Sequence, residues 1–285
     1  MSRSIARHLT YLHHAMKGNP WLDFISMGLG IQRRAERFKK SWEPHLDATR
    51  SFIEQNTRTG GSGIALLGAG RLYDVPLKAL MERFDHVCLV DIDSSLAATW
   101  AEARKIWGPR LITEFRDVTG VLQEWQGRLH ACNSSRELLW FLHENPPRVT
   151  FSYSTVVSLN ILSQLGVMWR DRVFACCRSK GFDISPEIEH IIAVSSARLE
   201  LAHLESLAND ASEIVLVADR SFVTIGRRGE VVEQEDALYG PWPDTISGFT
   251  TSGQASWRWE IVPVGGEVAH QGTVHEVQAR CFRRT

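Results

Sequence analysis

The chain has 285 residues, of which 44% are hydrophobic, so it is long enough to bury one large core. Lys and Arg total 32 and Asp and Glu total 33, which leaves a formal net charge of −1 at pH 7. A protein that holds a phosphate backbone needs a basic surface. The charge balance therefore leads us to expect a small-molecule partner and no nucleic-acid partner.

Three features favour a cytoplasmic protein without a membrane span. The cysteine count is odd and no C-x-x-C occurs, which indicates reduced thiols at Cys88, Cys132, Cys176, Cys177 and Cys281. The basic segment Met1–Lys17 lacks the apolar core of a secretory signal. The uncharged stretch Val149–Trp169 contains Ser, Thr, Asn and Gln side chains, so it fits a buried strand leading into a helix better than a bilayer span.

Residues 1–56 are predicted to form an N-terminal helical cap. Gly18-Asn19-Pro20 interrupts the first segment, and aromatic residues are spaced to anchor helices on a core. The basic run Arg33–Lys40 is typical of a solvated helix face, and an anion site is its alternative interpretation. The segment is expected to be either a lid over the ligand site or a homodimer surface.

From residue 57 to 285, short apolar runs alternate with helical patterns. The predicted strands are Ile64–Leu67, His86–Val90, Leu111–Phe115, one within Val149–Ser158, and Glu213–Ala218. The predicted helices lie near Val75–Phe84, Ser95–Ile106, Arg136–Glu144 and Ser185–Asn209. This alternation predicts a Rossmann-like, doubly wound α/β domain with a mostly parallel sheet.

The tail changes character and predicts an antiparallel hairpin. Trp257–Val262 and His275–Phe282 alternate in the manner of strands and flank a region with a Gly-Gly pair. A parallel sheet closed by an antiparallel C-terminal pair differs from an ordinary dinucleotide-binding domain.

A glycine turn after the first strand is the first chemical signal. Gly68-Ala69-Gly70 lets the backbone approach a ligand closely, and Asp91 at the end of the next strand can accept both ribose hydroxyls of an adenosine. Tyr73 stands where a dinucleotide fingerprint has its third Gly, and no P-loop follows, which disfavours NAD and ATP. The alternative is a tight turn without a ligand.

A second acidic position follows the third strand. Asp117 can accept from an adenine amino group, and Val118 beside it offers a backbone N–H and an apolar face. Asp also serves well as a helix N-cap, and the two roles are compatible.

At these positions the sequence resembles the class I S-adenosylmethionine-dependent methyltransferase superfamily, over residues 57–285. The resemblance lies in Leu66-Leu67-Gly68-Ala69-Gly70, Val90-Asp91-Ile92-Asp93, Arg116-Asp117-Val118 and the segment ending Ser158-Leu159-Asn160. A bacterial branch is closer still, because it shares the turn Gly68–Leu77 and the pattern of Ser158–Leu165. The resemblance implies S-adenosylmethionine as cofactor, held by Gly68, Ala69, Gly70, Asp91, Ile92, Asp117 and Val118.

The sequence departs from that family in two places. Many members have an acid where Leu66 stands, which helps to hold the amino group of the ligand; Asp74, expected on the first turn of the next helix, or the surroundings of Arg71 would compensate. No Asn/Asp-Pro-Pro-Tyr motif follows the fourth strand, so the usual sign of methylation of base or glutamine amino groups is missing.

Methyl transfer requires mainly in-line positioning of the acceptor, and a base only where the acceptor must lose a proton. The candidates for chemistry are Ser158 and Asn160 after the fourth strand, Tyr73, and Asp219, which is expected to end the fifth strand at the ligand edge. Ser163 and Gln164 are better explained as helix caps and His203 as a packed histidine.

The aromatic residues and histidines outside the glycine turn give weaker indications of function than the acidic positions. Tyr11, Trp21 and Tyr73 are possible lid or cage residues for a cation. His8, His13 and His14 contain no i, i+4 pair, so no metal site is expected.

Three functions remain open at this point. The leading hypothesis is methyl transfer to a small molecule. The alternatives are attack on another sulfonium carbon, which releases methylthioadenosine by aminocarboxypropyl transfer or closure of an azetidine ring, and binding of S-adenosylmethionine without catalysis.

Overall fold

The computed structural model describes residues 20–58 and 61–285, except for the side chains of residues 20–26, 122 and 123. The predictions on Tyr11, His8, His13, His14 and the side chain of Trp21 lie outside this part of the chain. The described helices are α1 Pro20–Arg37, α2 Lys39–Asn56, α3 Leu77–Arg83, α4 Ala97–Trp107, α5 Gln126–Ala131, α6 Ser135–Leu142, α7 Leu162–Lys180 and α8 Pro186–Asp210. The strands are β1 Gly61–Leu67, β2 Phe84–Asp91, β3 Leu111–Phe115, β4 Thr155–Leu159, β5 Glu213–Gly226, β6 Val231–Asp236, β7 Phe249–Val262 and β8 Gln271–Arg284.

All of these strands form one sheet, in the order β3-β2-β1-β4-β5-β8-β7, with β6 paired to β5. β3, β2, β1, β4 and the first part of β5 are parallel, whereas β6 and β8 pair antiparallel with β5 and β7 pairs antiparallel with β8. The predicted fold class is confirmed: the sheet is Rossmann-like and mostly parallel, it closes with a C-terminal antiparallel pair, and two helices precede it. Residues Gly63 to Leu67 of β1 are buried without alternation, as expected for a central parallel strand covered on both faces.

The fifth strand does not end at Asp219, contrary to the sequence prediction. β5 pairs with β4 only as far as Val217, then continues to Gly226 between β8 and β6. The pairing with β8 shifts register between Asp219 and Ser221, which marks a bulge there. Asp219 therefore lies inside a long strand, where β5 leaves the parallel part of the sheet and enters the antiparallel extension.

The helix after the glycine turn is shorter than its apolar pattern predicts. α3 begins at Leu77, because Pro76 precedes it and disfavours helical backbone at Val75. Asp74 consequently lies in the connection before α3 rather than on its first turn. Phe84, which the pattern assigns to the helix, is the first residue of β2.

The helix α2 packs against the antiparallel end of the sheet. The indole Nε1 of Trp42 donates to the carbonyl of Ile261 at 3.0 Å, and its ring meets Trp259 edge to face at 4.9 Å. The ring of His45 stacks on Trp259 at 4.0 Å. This buried aromatic contact joins α2 to β7.

The helix α1 crosses the carboxyl-end edge of the sheet. A Cβ on Gly28 would lie 2.4 Å from Oδ2 of Asp93, just after β2. Further along the helix, Arg34 pairs with Glu267 at 2.8 Å, in the connection between β7 and β8. In residues 20–58 and 61–285, no helix combines the length and apolar character that a bilayer crossing requires.

α8 packs against β4 through a buried polar contact. Nε2 of His203 lies 3.0 Å from the hydroxyl oxygen of Ser158, and both residues are almost completely buried. Burial lowers the pKa of His203 to about 4. The folded protein therefore holds this imidazole neutral at pH values where an unfolded chain protonates it.

We expect the free energy of unfolding to fall as the pH decreases from about 6.5 to about 4, because protons bind the unfolded chain first. The contribution of His203 to this loss is at most about 3 kcal/mol. Glutamine does not titrate in this range, so His203→Gln should make the free energy of unfolding in urea depend less on pH between about 6.5 and about 4. His190→Gln, at an exposed position on the same helix, is the control and should leave the slope unchanged. Identical slopes for the two variants would contradict the assignment.

Candidate ligand and active site

A cavity of about 860 Å³ lies at the carboxyl ends of the parallel strands. It opens beside β1 and β4, where the strand order reverses and where open α/β sheets bind their ligands. Met27, Ile31 and Arg34 of α1, with His45 of α2, also line it. The volume lies in the range of small-molecule sites, ~300–1,000 Å³.

The backbone of the glycine turn lies so close to the end of β4 that there is no room for a side chain at position 68. Gly68 has a φ of +73°, and a Cβ on it would lie 2.5 Å from the carbonyl oxygen of Leu159. Gly70 has a φ of +50°, also in the left-handed region. The backbone N–H groups of Gly68 and Ala69 donate to the carbonyl of Val90, which fixes the turn against β2.

Asp91 holds this turn in place from the end of β2. Its Oδ2 accepts the N–H of Gly70 at 2.9 Å, and its Oδ1 accepts the N–H of Asp93 at 3.0 Å. Burial raises the pKa of Asp91, whereas these backbone bonds oppose the rise. Since each carboxylate oxygen has a second lone pair, the group is still able to accept hydroxyl protons from a ligand in the cavity.

Asp117 forms its own short turn after β3. Its Oδ1 accepts the backbone N–H of Thr119 at 2.8 Å and the Thr119 hydroxyl at 2.6 Å. Asp117, Val118 and Thr119 all line the cavity on the side of β3. The helical segment that follows, Val121–Trp125, has Gly120 at its N-cap, so Asp117 does not cap a helix. The ligand role expected for Asp117 stays a prediction.

A hydrogen-bond donor and a hydrogen-bond acceptor without partners follow the ends of β1 and β4. Nε of Arg71 and Oδ1 of Asn160 are buried and have no hydrogen-bond partner among the described residues. Asn160 adopts a left-handed conformation with a φ of +54°, and its N–H donates to the carbonyl of Val217. Asp74 also lines the cavity, and burial raises its pKa to about 6. Leu66, where many family members have an acid, lies inside the core.

The structure brings most of the sequence-predicted site residues to one cavity. Those that line it are Gly68, Gly70, Tyr73, Asp74, Asp91, Ile92, Asp117, Val118, Asn160 and Asp219. Ala69 and Ser158 are not among the lining residues; Ala69 packs in the core below the turn, and Ser158 contacts His203. Ser158 is therefore placed as a packing residue, because β4 turns its side chain toward α8.

The antiparallel extension of the sheet forms an entire wall of the cavity that the sequence did not predict. Trp259, His275, Phe222 and Glu235 are register partners across β7, β8, β5 and β6, and all of them line the cavity. Cross-strand partners lie on the same face of a sheet. Because β5 was expected to stop at Asp219, no sequence signal placed these residues together.

Two histidines and Asp219 meet at the base of this wall. Nδ1 of His275 lies 3.1 Å from Oδ2 of Asp219, and the Ser163 hydroxyl donates to the same oxygen at 3.4 Å. The indole of Trp257 donates to Nδ1 of His45 at 2.9 Å. Burial lowers the pKa of His45 to about 3, so its ring is neutral at physiological pH. Within the described residues, no group of three or more His, Cys, Asp or Glu is arranged to hold a metal ion.

Comparisons with known proteins found similarity to solved structures alone. No protein-family model matches, and no curated protein matches. A candidate RNA methyltransferase from Pyrococcus horikoshii is 11% identical, with 85% of each chain covered and a TM-score of 0.40. TrmK of M. capricolum, solved with S-adenosylhomocysteine, is 9% identical over 82% of this chain and 66% of its own, with a TM-score of 0.34. The 23S rRNA methyltransferase ErmE is 11% identical over 84% and 68%, with a TM-score of 0.31.

These matches are likenesses at low identity, and the fold assignment depends on the sheet itself. The strand order and the antiparallel closure give the chain the class I methyltransferase fold that its sequence resembles. The expectation that nucleic acid is excluded as a partner was wrong, because RNA methyltransferases occur among the matched structures. A net charge near zero describes the whole surface and does not decide what one local surface contacts.

We expect Gly68→Ala to destabilise the protein more than Gly181→Ala does. Gly181 has a similar φ of +69°, but a Cβ on it would meet nothing within 4 Å, so this control isolates the backbone strain. That strain costs about 1–2 kcal/mol, and the contact with Leu159 should add about 1–3 kcal/mol. Urea denaturation measures both variants, and equal losses would show that the turn does not depend on the close approach.

Proposed function

We propose that the protein binds S-adenosylmethionine at the glycine turn and transfers its methyl group to a small-molecule acceptor. The observation that carries the proposal is the composition of one continuous cavity. One end combines Gly68, Gly70, Asp91 and Asp117, and the other is enclosed by α1, α2 and the antiparallel extension of the sheet.

The residues present fit the groups of this cofactor. Asp91 is available to accept the ribose hydroxyls, and Asp117 and Val118, which line the cavity on the side of β3, are available to the adenine. At the methionine end, Oδ1 of Asn160 needs a donor and Nε of Arg71 needs an acceptor, which an ammonium and a carboxylate provide. Asp74 also lines the cavity, and we assign to it the role of the acid that Leu66 cannot supply.

The cofactor supplies a methyl group on a good leaving group, so the protein mainly binds, orients and excludes water. The turn at Gly68 and Gly70 brings the backbone against the ligand, and Tyr73 lines the adjoining wall. Asp219 lies across β4 from this turn, toward the region left for the acceptor.

We also propose that residues 1–56 act as a helical cap on the domain formed by residues 57–285. Support comes from the course of α1, which runs from the contact of Gly28 with Asp93 to the ion pair of Arg34 with Glu267. Met27, Ile31 and Arg34 line the cavity along this course. Such a cap reduces the access of water to the acceptor.

We expect Asp91→Ala to weaken the binding of S-adenosylhomocysteine by about 5- to 150-fold, equivalent to about 1–3 kcal/mol for hydrogen bonds to a charged group. Isothermal calorimetry measures the affinity, and the melting temperature reports the loss of the bonds to Gly70 and Asp93. Asp85→Ala, at the exposed start of the same strand, is the control and should bind normally.

The unsubstituted protein used for calorimetry also serves to test the proposed methyl transfer. Incubated with S-adenosylmethionine and small molecules from a cell extract, the protein should release S-adenosylhomocysteine, as mass spectrometry detects. Methylthioadenosine in its place would indicate attack on another sulfonium carbon. Tight binding without either product would identify a binding protein, and binding of NAD with no response to the sulfur ligands would end the proposal.

Deletion of residues 1–38 should lower turnover by about tenfold or more, because the acceptor region then opens to water. The fold should persist, since α2 keeps its contacts with β7. Deletion of residues 1–19 alone is the control, because it distinguishes the effect of losing α1 from the effect of losing the segment before it. A protein without residues 1–38 that stays folded and retains full affinity and turnover would show that α1 is not a lid.

A further inference from the structure

The wall formed by the antiparallel extension has a defined chemical character. Trp259, His275 and Phe222 form an aromatic row, with the His275 ring 4.5 Å from Phe222 and 5.7 Å from Trp259. The ring of His45 covers the Trp259 ring at 4.0 Å. Aromatic faces attract cations that are removed from water.

Carboxylates border this aromatic row. Glu235 continues it on β6, and the next row contains Thr273, Thr224 and Glu233, all of which line the cavity. Asp219 is 4% exposed, and its Oδ1 has no hydrogen-bond partner among the described residues. Its one ion pair among those residues is with His275, whose ring is charged only when protonated.

Three arginines line this part of the cavity, and two of them are paired with carboxylates that do not line it. Arg34 pairs with Glu267 at 2.8 Å, and Arg170 pairs with Asp171 at 3.0 Å. Arg172 donates to Gln126 at 2.9 Å. Glu267 and Asp171 neutralise two of these arginines, whereas the amide of Gln126 is uncharged and leaves the charge of the third. The three lining carboxylates, Asp219, Glu233 and Glu235, outnumber that one positive charge, so the local balance favours a positive ligand and disfavours a phosphate or carboxylate.

We propose that this wall, formed by Trp259, Phe222, His275 and Asp219, binds the acceptor, and that the acceptor is a small amine that arrives as its ammonium ion. The inference rests on the proposed methyl transfer and names the substrate class of the same site. The carboxylate of Asp219 pairs with the ammonium, while the ring of Phe222 and the part of Trp259 that lines the cavity contact its substituents.

An ammonium nitrogen has no lone pair, so it must lose a proton before it reacts. The pair of His275 and Asp219 takes this proton: the imidazole of His275 receives it, and Asp219 at 3.1 Å stabilises the imidazolium. The freed lone pair forms the nitrogen–methyl bond, and the methyl–sulfur bond breaks with its electrons remaining on sulfur. Charge is conserved, because the sulfonium becomes a neutral thioether and the amine becomes a methylated ammonium.

Two probes of similar shape and opposite charge, benzyltrimethylammonium and phenylmethanesulfonate, test the recognition without any turnover. Each is titrated into the full-length protein saturated with S-adenosylhomocysteine, and NMR follows the indole N–H of Trp259, assigned with Trp259→Phe. The cation should bind at least about tenfold more tightly than the sulfonate. Asp219→Asn should remove this preference, whereas Asp244→Asn, at an exposed position that does not line the cavity, should preserve it.

Equal affinities, tighter binding of the sulfonate, a preference that survives Asp219→Asn, or no detectable binding of either probe at about 10 mM would each overturn the proposal. In a second experiment, methyl-labelled S-adenosylmethionine and a cell extract should yield label in small molecules that a cation exchanger retains. Label in neutral or acidic small molecules, or in RNA, would also overturn it. If the cation preference holds but no label is transferred, the proposed methyl transfer fails and the cation site stands.

Discussion

The close approach of the glycine turn to the end of β4 is the constraint on which the rest of the site depends. A side chain at Gly68 would meet the carbonyl of Leu159 at 2.5 Å, so the backbone of the turn lies directly against the neighbouring strand. Asp91 fixes the same turn from the other side by accepting the N–H of Gly70 at 2.9 Å. Because the turn is held between β2 and β4, the cavity opens where the strand order reverses.

The burial of Asp91 has a consequence for ligand affinity. A carboxylate removed from water is unfavourable unless it is hydrogen-bonded, and burial raises the pKa of this group. The backbone donors at Gly70 and Asp93 compensate in part. In the proposed complex, ribose hydroxyls would complete the set of donors around the same oxygens, and the ligand would then stabilise the conformation of the turn seen here.

The antiparallel extension makes the second half of the cavity. β5 continues beyond the edge where the parallel strands end. After the bulge at Asp219 it pairs with β8 on one side and β6 on the other. Aromatic residues on β7, β8 and β5 then face the region beyond the glycine turn, and α2 covers them through the contact of Trp42 and His45 with Trp259. β5 thus contributes both Asp219 and Phe222 to this wall.

The sequence by itself determined the parallel core, the glycine turn, Asp91 and the C-terminal antiparallel pair, because these are local patterns. A buried strand ending in Gly-Ala-Gly and a second strand ending in Asp need only a β-α-β unit to bring Gly68, Gly70 and Asp91 together. Pro76 is likewise a local signal that Asp74 precedes its helix. Only the tertiary structure decided that Ser158 faces His203 and that Asp219 lies within β5. It also decided that His45, Phe222, Trp259 and His275 share one cavity. These residues are brought together by strand pairing and helix docking between segments far apart in the chain, and no local spacing records which strands pair or which face of a helix packs on them.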